Sequence, residues 1–459
     1  MTASGTSTYN PENYRLRTFY DASAQFRDGS GTPRAYLERC LETIEEKEPV
    51  VRAWVVLNTE NARIAADESS ARYKAGRPLS AIDGMPIGIK DVIQTKDMPT
   101  ALGSAIYEGR QTHMDSASVN ALRLAGAIIL GKTVTTEFAF MVPGPTTNPF
   151  DARCTPGGSS SGSSAAVGAG MVPAALGNQV VGSIIRPAAY CGNIAIKPTL
   201  GALHGGEGLS LSQLHLGIHA GSLVDMWSVA YEIAHRAGAD PGYPGLYGPP
   251  ELAPPAQPDT LIVLETEGWS QCDETTRNAF EAILDQLRSL DVKLVRRNEL
   301  PAIEAFEQDI DDSMVLCRIL CSYEMRWALR HYQSTGLLSD DLSLWLEMAE
   351  EITLGDYRKA LEKRERMRAS FATLKDLASA MITLSAPGPA PELGALTPSG
   401  ESGYAFKTGS PAFNAATSAL GSPALTLPLG IQLIGQPHTD WDLTGYGAWL
   451  QQSIQAVSM

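Results

Sequence analysis

The chain has 459 residues, of which 44% are hydrophobic and 19% charged, and its formal net charge is −15 at pH 7. This composition is typical of a globular protein with a large core and excludes an intrinsically disordered chain. Because an acidic chain repels phosphate backbones, and no run of lysine and arginine forms a basic patch, we expect no nucleic-acid partner.

The first part of the chain predicts alternating helices and strands. Thr32 and Pro33 supply a helix start, a capping hydroxyl followed by a proline where no N–H is needed, and apolar residues then recur at helical spacing. This alternation predicts an α/β fold in which helices cover a sheet. The next predicted elements are a strand over 51–58, a helix over 59–75, a strand over 85–93, a helix over 116–125 and a strand over 127–133.

Two proline-rich stretches, 238–258 and 387–403, punctuate the second part of the chain. Between them, a strand, a helix over 273–290 and a second strand predict a β-α-β unit, and helices dominate from about 303 to 380. We therefore expect a four-part organisation: an N-terminal extension over 1–29, an α/β core over 30–235, a variable substrate-side region with an α-rich cap over 236–404, and a return to the core over 405–459.

The cysteines and the N-terminal residues indicate a cytoplasmic protein. Six cysteines are scattered without CxxC spacing, which is typical of a reduced compartment. The first 21 residues contain no apolar segment of the kind that a secretory signal needs. The most apolar stretch, 165–185, is interrupted by Pro173, Asn178 and Gln179, so we expect a buried core segment and no membrane span.

An unbroken run of glycine and serine, 157–164, lies within the segment TPGGSSSGSSAAVGAG. A flexible linker would lie between polar segments, but apolar sequence follows at once. A phosphate-binding loop would match GxxxxGK[ST], or GxGxxG after a strand, and neither pattern is present. The remaining interpretation is a loop that supplies a serine for catalysis, which requires a base and hydrogen-bond donors for an oxyanion.

Lysine is a better candidate base here than histidine. Between residues 85 and 200 the only histidine is His113, and no GxSxG motif accompanies any histidine. Lys90 lies among Ile87, Ile89 and Val92 in a predicted buried strand, where desolvation would remove the proton from its ammonium group. The alternative is an ion pair between Lys90 and Asp91 at the exposed end of the strand, and spacing alone leaves both interpretations open.

A second candidate serine lies in GNQVVGSIIRPAAYCG, residues 177–192. A tight turn or short helix that begins at Ser183 would direct consecutive backbone N–H groups at one point, which is the geometry that an oxyanion requires. The alternative is a serine that only caps a helix, and composition alone favours that role.

Three segments in this order, GIKD, GGSSSGSSAAVGAGMVPAALG and GSIIRPAAYCGNIAIKPT, resemble the amidase signature family of serine hydrolases. The resemblance covers 30–235 well and 409–437 weakly, and it does not extend to 236–404. It implies a large mixed β-sheet sandwiched by helices. It also implies a catalytic triad in which Ser183 is the nucleophile, Ser159 relays the proton after a cis Gly158–Ser159 peptide bond, and an uncharged Lys90 is the base.

The resemblance further implies an oxyanion hole built from the backbone N–H groups of Val180, Val181, Gly182 and Ser183. The family's usual acidic residue is replaced by Gln179, and a usual glycine is replaced by Val181. The usual arginine follows the nucleophile by two positions, whereas Arg186 follows it by three. We therefore expect altered specificity with retained activity, and Gln179 and Arg186 become candidate substrate contacts.

These residues predict hydrolysis of a C–N bond in a small or medium amide, without a cofactor or metal, through an acyl-enzyme on Ser183. The family includes members that cleave urethanes, so an aryl carbamate is a second substrate class. We expect a monomer or homodimer with a small-molecule substrate. The alternatives are the amidase subunit of a tRNA-dependent amidotransferase and a non-catalytic binding protein on the same scaffold. Two further expectations concern individual residues. We expect a core or loop role rather than a metal for His215 and His219, and substrate contacts for the aromatic residues Tyr323, Trp327 and Trp345.

Overall fold

A single mixed β-sheet organises the chain in the computed structural model, which describes residues 16–206, 211–398 and 405–454. The sheet has eleven strands in the described residues, in the order β1-β3-β2-β4-β6-β5-β12-β13-β9-β7-β8. Its parallel pairs are β2–β3, β2–β4, β7–β8 and β7–β9, and the other pairs are antiparallel. The strands are β1 Trp54–Leu57, β2 Pro86–Lys90, β3 Ile128–Thr133, β4 Ala174–Gln179, β5 Ile194–Lys197, β6 His215–Ala220, β7 Thr260–Val263, β8 Lys293–Val295, β9 Ala380–Leu384, β12 Ala424–Thr426 and β13 Ile431–Ile434, with β10 Thr397–Pro398 and β11 Ala405–Phe406 forming a separate pair.

Helices cover both faces of this sheet, which confirms the predicted α/β class. The central strands β2, β3 and β4 are buried at every position, as is typical of a sheet covered on both sides. The helices are α1 Tyr20–Asp28, α2 Pro33–Val51, α3 Thr59–Lys74, α4 Ala117–Leu124, α5 Ser161–Gly168, α6 Ile185–Tyr190, α7 Leu223–Ala237, α8 Glu274–Ser289, α9 Pro301–Ile310, α10 Ser313–Gln333, α11 Asp340–Glu350, α12 Leu354–Ala372, α13 Ala415–Leu420 and α14 Asp440–Ser453. None of the helices in the described ranges has the length and apolar character that crossing a bilayer requires.

The region 236–404 contributes more to the sheet than the sequence division suggests. Strands β7 and β8 form the predicted parallel β-α-β unit around α8, and β9 joins them to β13 of the C-terminal return. The sequence places these residues outside the α/β core, whereas their strands extend the same sheet. The physical reason is that β13 pairs with β12 on one side only, so without β9 its other side would leave unpaired backbone groups at a sheet edge. The helices α9–α12 then form the α-rich cap.

The second half of the glycine- and serine-rich run begins helix α5, which lies buried against the sheet along its whole length. Small side chains allow this close approach. At Gly162, a Cβ atom would lie 2.3 Å from both the Ala53 carbonyl oxygen and the Val134 nitrogen. Only glycine therefore fits at this contact, and α5 fixes the preceding loop, with Ser159, against the ends of the central strands.

Candidate active site

Lys90 lies at the end of β2 and is fully buried. Its Nζ is 2.7 Å from Ser159 Oγ and 2.5 Å from Asn178 Oδ1. The alternative interpretation, an ion pair with Asp91, is wrong, because Asp91 instead pairs with Lys132 at 2.9 Å. No carboxylate of the described residues forms an ion pair with Lys90.

Burial holds the pKa of Lys90 well below the ordinary range of a lysine. The cause is desolvation, which penalises the ammonium form and leaves the amine form unaffected. Because Asn178 Oδ1 is an acceptor only, an N–H of the amine is directed at it. An uncharged amine held in this way can present its lone pair to the Ser159 hydroxyl.

The serines of the run have different roles. Ser160 Oγ donates to the Asn178 carbonyl at 3.2 Å, and Ser163 Oγ donates to the Leu176 carbonyl at 2.8 Å. Ser161 Oγ donates to the Val134 carbonyl at 3.4 Å. These hydroxyls fix α5 to the sheet, whereas the Ser159 hydroxyl meets Lys90, and the Gly158–Ser159 peptide bond before it is cis.

Ser183 lies in the turn between β4 and α6, is half-buried and lines a cavity. Its backbone carbonyl accepts a hydrogen bond from the Ser160 N–H at 3.4 Å. This bond joins the two serine-bearing segments directly, so the structure brings Ser159 and Ser183 to the same end of the central strands.

Two side chains hold the turn that precedes Ser183 by donating hydrogen bonds to its backbone carbonyl groups. Gln213 Nε2 donates to the Val180 carbonyl at 2.9 Å, and Ser418 Oγ donates to the Val181 carbonyl at 2.8 Å. In a trans peptide, the C=O of one residue and the N–H of the next point in opposite directions. The N–H groups of Val181 and Gly182 therefore point away from these two side chains, and both residues line the cavity.

Gln179 does not lie in the cavity wall, so the expected substrate contact is wrong. The residue is fully buried at the end of β4, and its Oε1 accepts hydrogen bonds from the N–H groups of Ile184 and Ile185 at 2.8 and 3.1 Å. Its Nε2 donates to Ser418 Oγ at 3.0 Å. The amide therefore orients the turn that leads to Ser183.

Arg186 lies in α6 and lines the cavity, as expected for a substrate contact. Its Nη2 donates to the Gly158 carbonyl at 2.6 Å and to Thr408 Oγ1 at 3.1 Å. Burial lowers the pKa of Arg186 to about 10. The guanidinium therefore supports the loop that carries Ser159 and also faces the space beside Ser183.

The cavity has a volume of about 730 Å³ including its mouth, and its walls are mainly apolar. The two charged side chains in these walls, among the described residues, are arginines. Residues of the cap, of the C-terminal return to the core and of the segment after β3 all line the cavity. The lining residues are Phe138, Ala139, Phe140, Met141, Val180, Val181, Gly182, Ser183, Arg186, Leu211, Met314, Cys317, Arg318, Cys321, Trp345, Phe406, Thr408 and Pro411.

Of the three aromatic residues expected near the substrate, only Trp345 lines the cavity. Trp327 is 74% exposed, and Tyr323 stacks on Tyr357 with ring centroids 4.2 Å apart.

Sequence reasoning missed Asn178 and Gln213 altogether. A polar residue within the apolar run of β4 was a signal for Asn178, but nothing in the sequence links Gln213 to Val180.

His215 and His219 lie on strand β6, which is buried at every position. Both are buried, and desolvation lowers the pKa of His219 to about 3. His219 Nδ1 is 3.2 Å from Asn193 Oδ1, a contact within the core. Among the residues that the structure describes, no group of three or more histidine, cysteine, aspartate or glutamate side chains could hold a metal ion.

The mixed sheet, the buried lysine and the serine-bearing segments are the features that the resemblance to the amidase signature family implies. A family model described as Amidase matches residues 35–443, so the chain belongs to the amidase (amidase signature) family. A glutamyl-tRNA(Gln) amidotransferase subunit of Chloroflexus aggregans is 40% identical over 209 residues, which cover 44% of this chain and 41% of that protein. The chain thus spans less than half the length of such curated relatives.

Solved structures extend the likeness to nearly the whole chain. A crystal structure of an amidase superposes with a TM-score of 0.79 over 95% of this chain and 100% of that chain, at 27% identity. A chain from a vestigial complex that bears on the origins of an s-triazine catabolic enzyme superposes with a TM-score of 0.82 over 96% and 99% of the two chains. Its identity of 23% supports the fold alone.

Proposed function

We propose that this protein hydrolyses the C–N bond of small amides, with Ser183 as nucleophile, Ser159 as proton relay and Lys90 as base. One observation carries the proposal: the fully buried Lys90 Nζ, without an ion-pair partner in the described chain, lies 2.7 Å from Ser159 Oγ. A buried amine with a depressed pKa is able to accept a proton at neutral pH.

The reaction proceeds by two acyl transfers. Ser183 Oγ attacks the amide carbonyl and gives its proton to Ser159, while Ser159 gives its own proton to Lys90. The tetrahedral intermediate collapses, the C–N bond breaks, and the proton returns through Ser159 to the leaving amine. Water then attacks the acyl-enzyme by the same relay, which releases the acid and restores Ser183.

The oxyanion of each intermediate is stabilised by the backbone N–H groups of Val180, Val181, Gly182 and Ser183. The carbonyl contacts of Gln213, Gln179 and Ser418 support this assignment, because they fix the peptide planes of the turn before substrate binds. Preorganised donors of this kind typically contribute about 3 kcal/mol each to stabilisation of the transition state.

The cavity walls favour an apolar acyl or aryl group. Phe138, Phe140 and Trp345 supply aromatic surface against which such a group can pack. Carbamates need the same attack on a carbonyl, so amides, esters and aryl carbamates with matched leaving groups form the informative panel. Release of p-nitroaniline or p-nitrophenol ranks them.

Labelling with a fluorophosphonate probe tests the nucleophile. We expect the probe to modify Ser183 and Ser183→Ala to lose both labelling and hydrolysis, because no other hydroxyl would be acylated. Ser163→Ala is the matched control, since its hydroxyl fixes α5 to β4 and lies outside the relay. Full activity of Ser183→Ala, or labelling at another residue, would exclude the proposed mechanism.

A second candidate function is that of an amidase subunit in a tRNA-dependent amidotransferase, favoured by the 40% identity to one such protein. That identity is confined to 44% of this chain, and Gln179 replaces the usual acidic residue. Hydrolysis of a simple anilide by the purified chain supports the independent hydrolase. Activity that appears only with partner subunits supports the alternative, and a folded chain inert to every serine probe supports a non-catalytic scaffold.

A further inference from the structure

We propose that Cys317 and Cys321 of helix α10 form a two-sulfur site for a soft monovalent cation with a filled d shell, the class that includes Cu⁺ and Ag⁺. Both cysteines line the cavity, so a small ion can reach them from its mouth. Binding of the cation is independent of the proposed function, whereas the effect of the cation on catalysis rests on that function.

The spacing of the two cysteines suits a shared ligand. They are four residues apart within α10, and side chains at this spacing are neighbours on one face of a helix, with about 5–6 Å between their Cβ atoms. Both are free cysteines. Their two sulfur atoms can therefore bind one cation together.

Both sulfur atoms already accept a hydrogen bond from the same amide group. Gln213 Nε2 lies 3.3 Å from Cys317 Sγ and 3.9 Å from Cys321 Sγ, and it also donates to the Val180 carbonyl at 2.9 Å. An amide has two N–H donors for these three acceptors. The thiol of Cys317 directs its own proton at the Ala415 carbonyl, 3.5 Å away. The lone pairs of the two sulfurs therefore converge on one region that the amide satisfies incompletely.

The number and type of ligands select the class of cation. A structural zinc site needs four ligands, and residues 16–206, 211–398 and 405–454 contain no group of three or more histidine, cysteine, aspartate or glutamate side chains that could hold a metal ion. Magnesium and calcium require oxygen ligands. Soft sulfur ligands prefer Cu⁺ among the biological cations, and a monovalent ion with a filled d shell is satisfied by two of them.

The charge of the cavity permits this site, although two arginines line the same walls. Cys317 keeps its proton on the Ala415 carbonyl, whereas Cys321 releases its proton to solvent as its sulfur binds the cation. One positive charge replaces another and no electron is transferred, so Arg186 and Arg318 meet no added charge. Burial raises the pKa of Cys317 to about 12 and that of Cys321 well above the ordinary range of a thiol. Both thiols are therefore protonated at neutral pH and resist oxidation.

A bound cation would act on the oxyanion turn through Gln213. The cation takes the place of the amide at the two sulfurs, so the Gln213 side chain moves and its hydrogen bond to the Val180 carbonyl is lost. The N–H of Val181 belongs to the same peptide plane as that carbonyl. We therefore expect the cation to lower kcat for an anilide more than it changes KM.

Native mass spectrometry with Ag⁺ tests the site without catalysis. The background variant is C154S/C272S, which removes two other cysteines outside the cavity wall. We expect one Ag⁺ per chain in this background and at least 50-fold weaker binding after a further C317S or C321S substitution, because a hydroxyl oxygen is a poor ligand for a soft ion. C40A, which removes a buried thiol far from the cavity in sequence, is the matched control and should retain binding.

Two further measurements accompany the titration. Zn²⁺ at the same concentrations should not bind with this stoichiometry, because the site lacks the ligands that zinc needs. The thermal unfolding midpoint should rise with Ag⁺ in the background variant and stay constant in C317S/C321S. C317A/C321A replaces the serine variant if the latter fails to fold, since alanine introduces no polar group into the core.

Kinetics with acetyl p-nitroanilide test the effect on the turn. One equivalent of Ag⁺ should lower kcat of the background variant at least tenfold with a smaller change in KM. The same addition should leave kcat of C317S/C321S, made in that background, unchanged.

Several results would overturn the inference. Undiminished Ag⁺ binding in C317S/C321S would exclude the site, and two bound ions, each lost with one cysteine, would mean that the thiols act independently. Binding that raises KM with kcat unchanged would refute the link to the oxyanion turn. Binding of one Ag⁺ by a chain that hydrolyses no anilide would refute the proposed function and leave the site intact.

Discussion

Among single residues, Lys90 has an environment that sets the pH dependence of the proposed reaction. Its burial lowers its pKa, so the uncharged amine persists at pH values where an exposed lysine is protonated. We expect kcat/KM for a neutral anilide to be constant at neutral pH. It should fall as pH drops through the depressed pKa, because the ammonium cannot accept the proton of Ser159. A pH profile of kcat/KM, with stopped or continuous detection of p-nitroaniline, measures this fall at low pH.

The matched variant is Lys90→Met, whose unbranched side chain is one atom shorter and lacks the base. General bases typically contribute 10²–10⁴-fold, and we expect kcat to fall by roughly 10³-fold with the chain still folded by circular dichroism. A profile that reaches its plateau only above pH 10 would contradict an uncharged Lys90, as would a Met variant with wild-type kcat.

The sequence anticipated the residues of the site unevenly. Lys90 could be predicted as a candidate from the sequence, because an ionisable group within an apolar strand is costly unless it has a function. Only the family resemblance predicts which serine of the run contacts Lys90, because Ser159, Ser160 and Ser163 have similar sequence around them. Their different roles depend on hydrogen bonds to residues of β4, and the sequence does not reveal contacts between segments that are this far apart along the chain. The catalytic roles themselves stay predictions.

At the scale of secondary-structure elements, the turn between β4 and α6 depends on one buried amide. Gln179→Ala removes the acceptor of the Ile184 and Ile185 N–H groups and a donor to Ser418. Unsatisfied buried groups cost about 1–3 kcal/mol, so urea unfolding should report a loss of that size. We also expect kcat to fall by roughly 100-fold with a smaller change in KM, because a misplaced turn weakens oxyanion stabilisation more than substrate binding.

Gln432→Ala is the control for this prediction. Gln432, in β13, is also a fully buried glutamine and lies outside the cavity wall. Its Nε2 donates to the carbonyls of Leu384 and Phe413. It should lose comparable stability with little loss of kcat. Equal kinetic effects of the two variants would mean that Gln179 contributes only to stability.

Strands with continuous apolar sequence were predicted from that pattern, and β2 and β3 lie within the predicted ranges. The elements that the pattern did not reveal are those rich in small or polar residues. Helix α5 reads as a loop, because glycine and serine are poor helix formers. Strand β6 carries two histidines whose polarity masks its burial. In both elements, tertiary packing against the sheet decides the structure.

At the scale of the whole molecule, the region 236–404 lines part of the cavity and extends the sheet. The sequence motifs did not show a family resemblance there, whereas the family model matches residues 35–443 and so includes this region. Its strands continue the order β13-β9-β7-β8, while α10 and α11 supply Met314, Cys317 and Trp345 to the cavity wall. Residues that line the cavity and strands that extend the sheet therefore both lie in 236–404, which the sequence predicts as a variable substrate-side region with an α-rich cap. Sequence patterns locate its elements but not the long-range strand pairing that joins them to the core.

Trp345 is the residue of this cap that we expect to limit the size of the substrate. It lies in a buried cluster with Phe138 and Tyr332, contacts Phe140 edge-on with ring centroids 5.2 Å apart, and faces the cavity. Trp345→Ala removes a large wall residue, so we expect kcat/KM for a bulky acyl p-nitroanilide to rise at least fivefold relative to that for the acetyl compound. Truncation of a buried aromatic residue costs about 3–5 kcal/mol, so the thermal midpoint should fall as well.

Trp327→Ala separates this effect from a general change in the cap. Trp327 lies on α10 of the same cap but is 74% exposed and outside the cavity wall. Its variant should retain both the wild-type thermal midpoint and the wild-type ratio of bulky to acetyl substrate. If the ratio stays constant in Trp345→Ala while the protein remains folded, the cap does not limit the acyl group. The leaving group would then be the part of the substrate that occupies the space against α11.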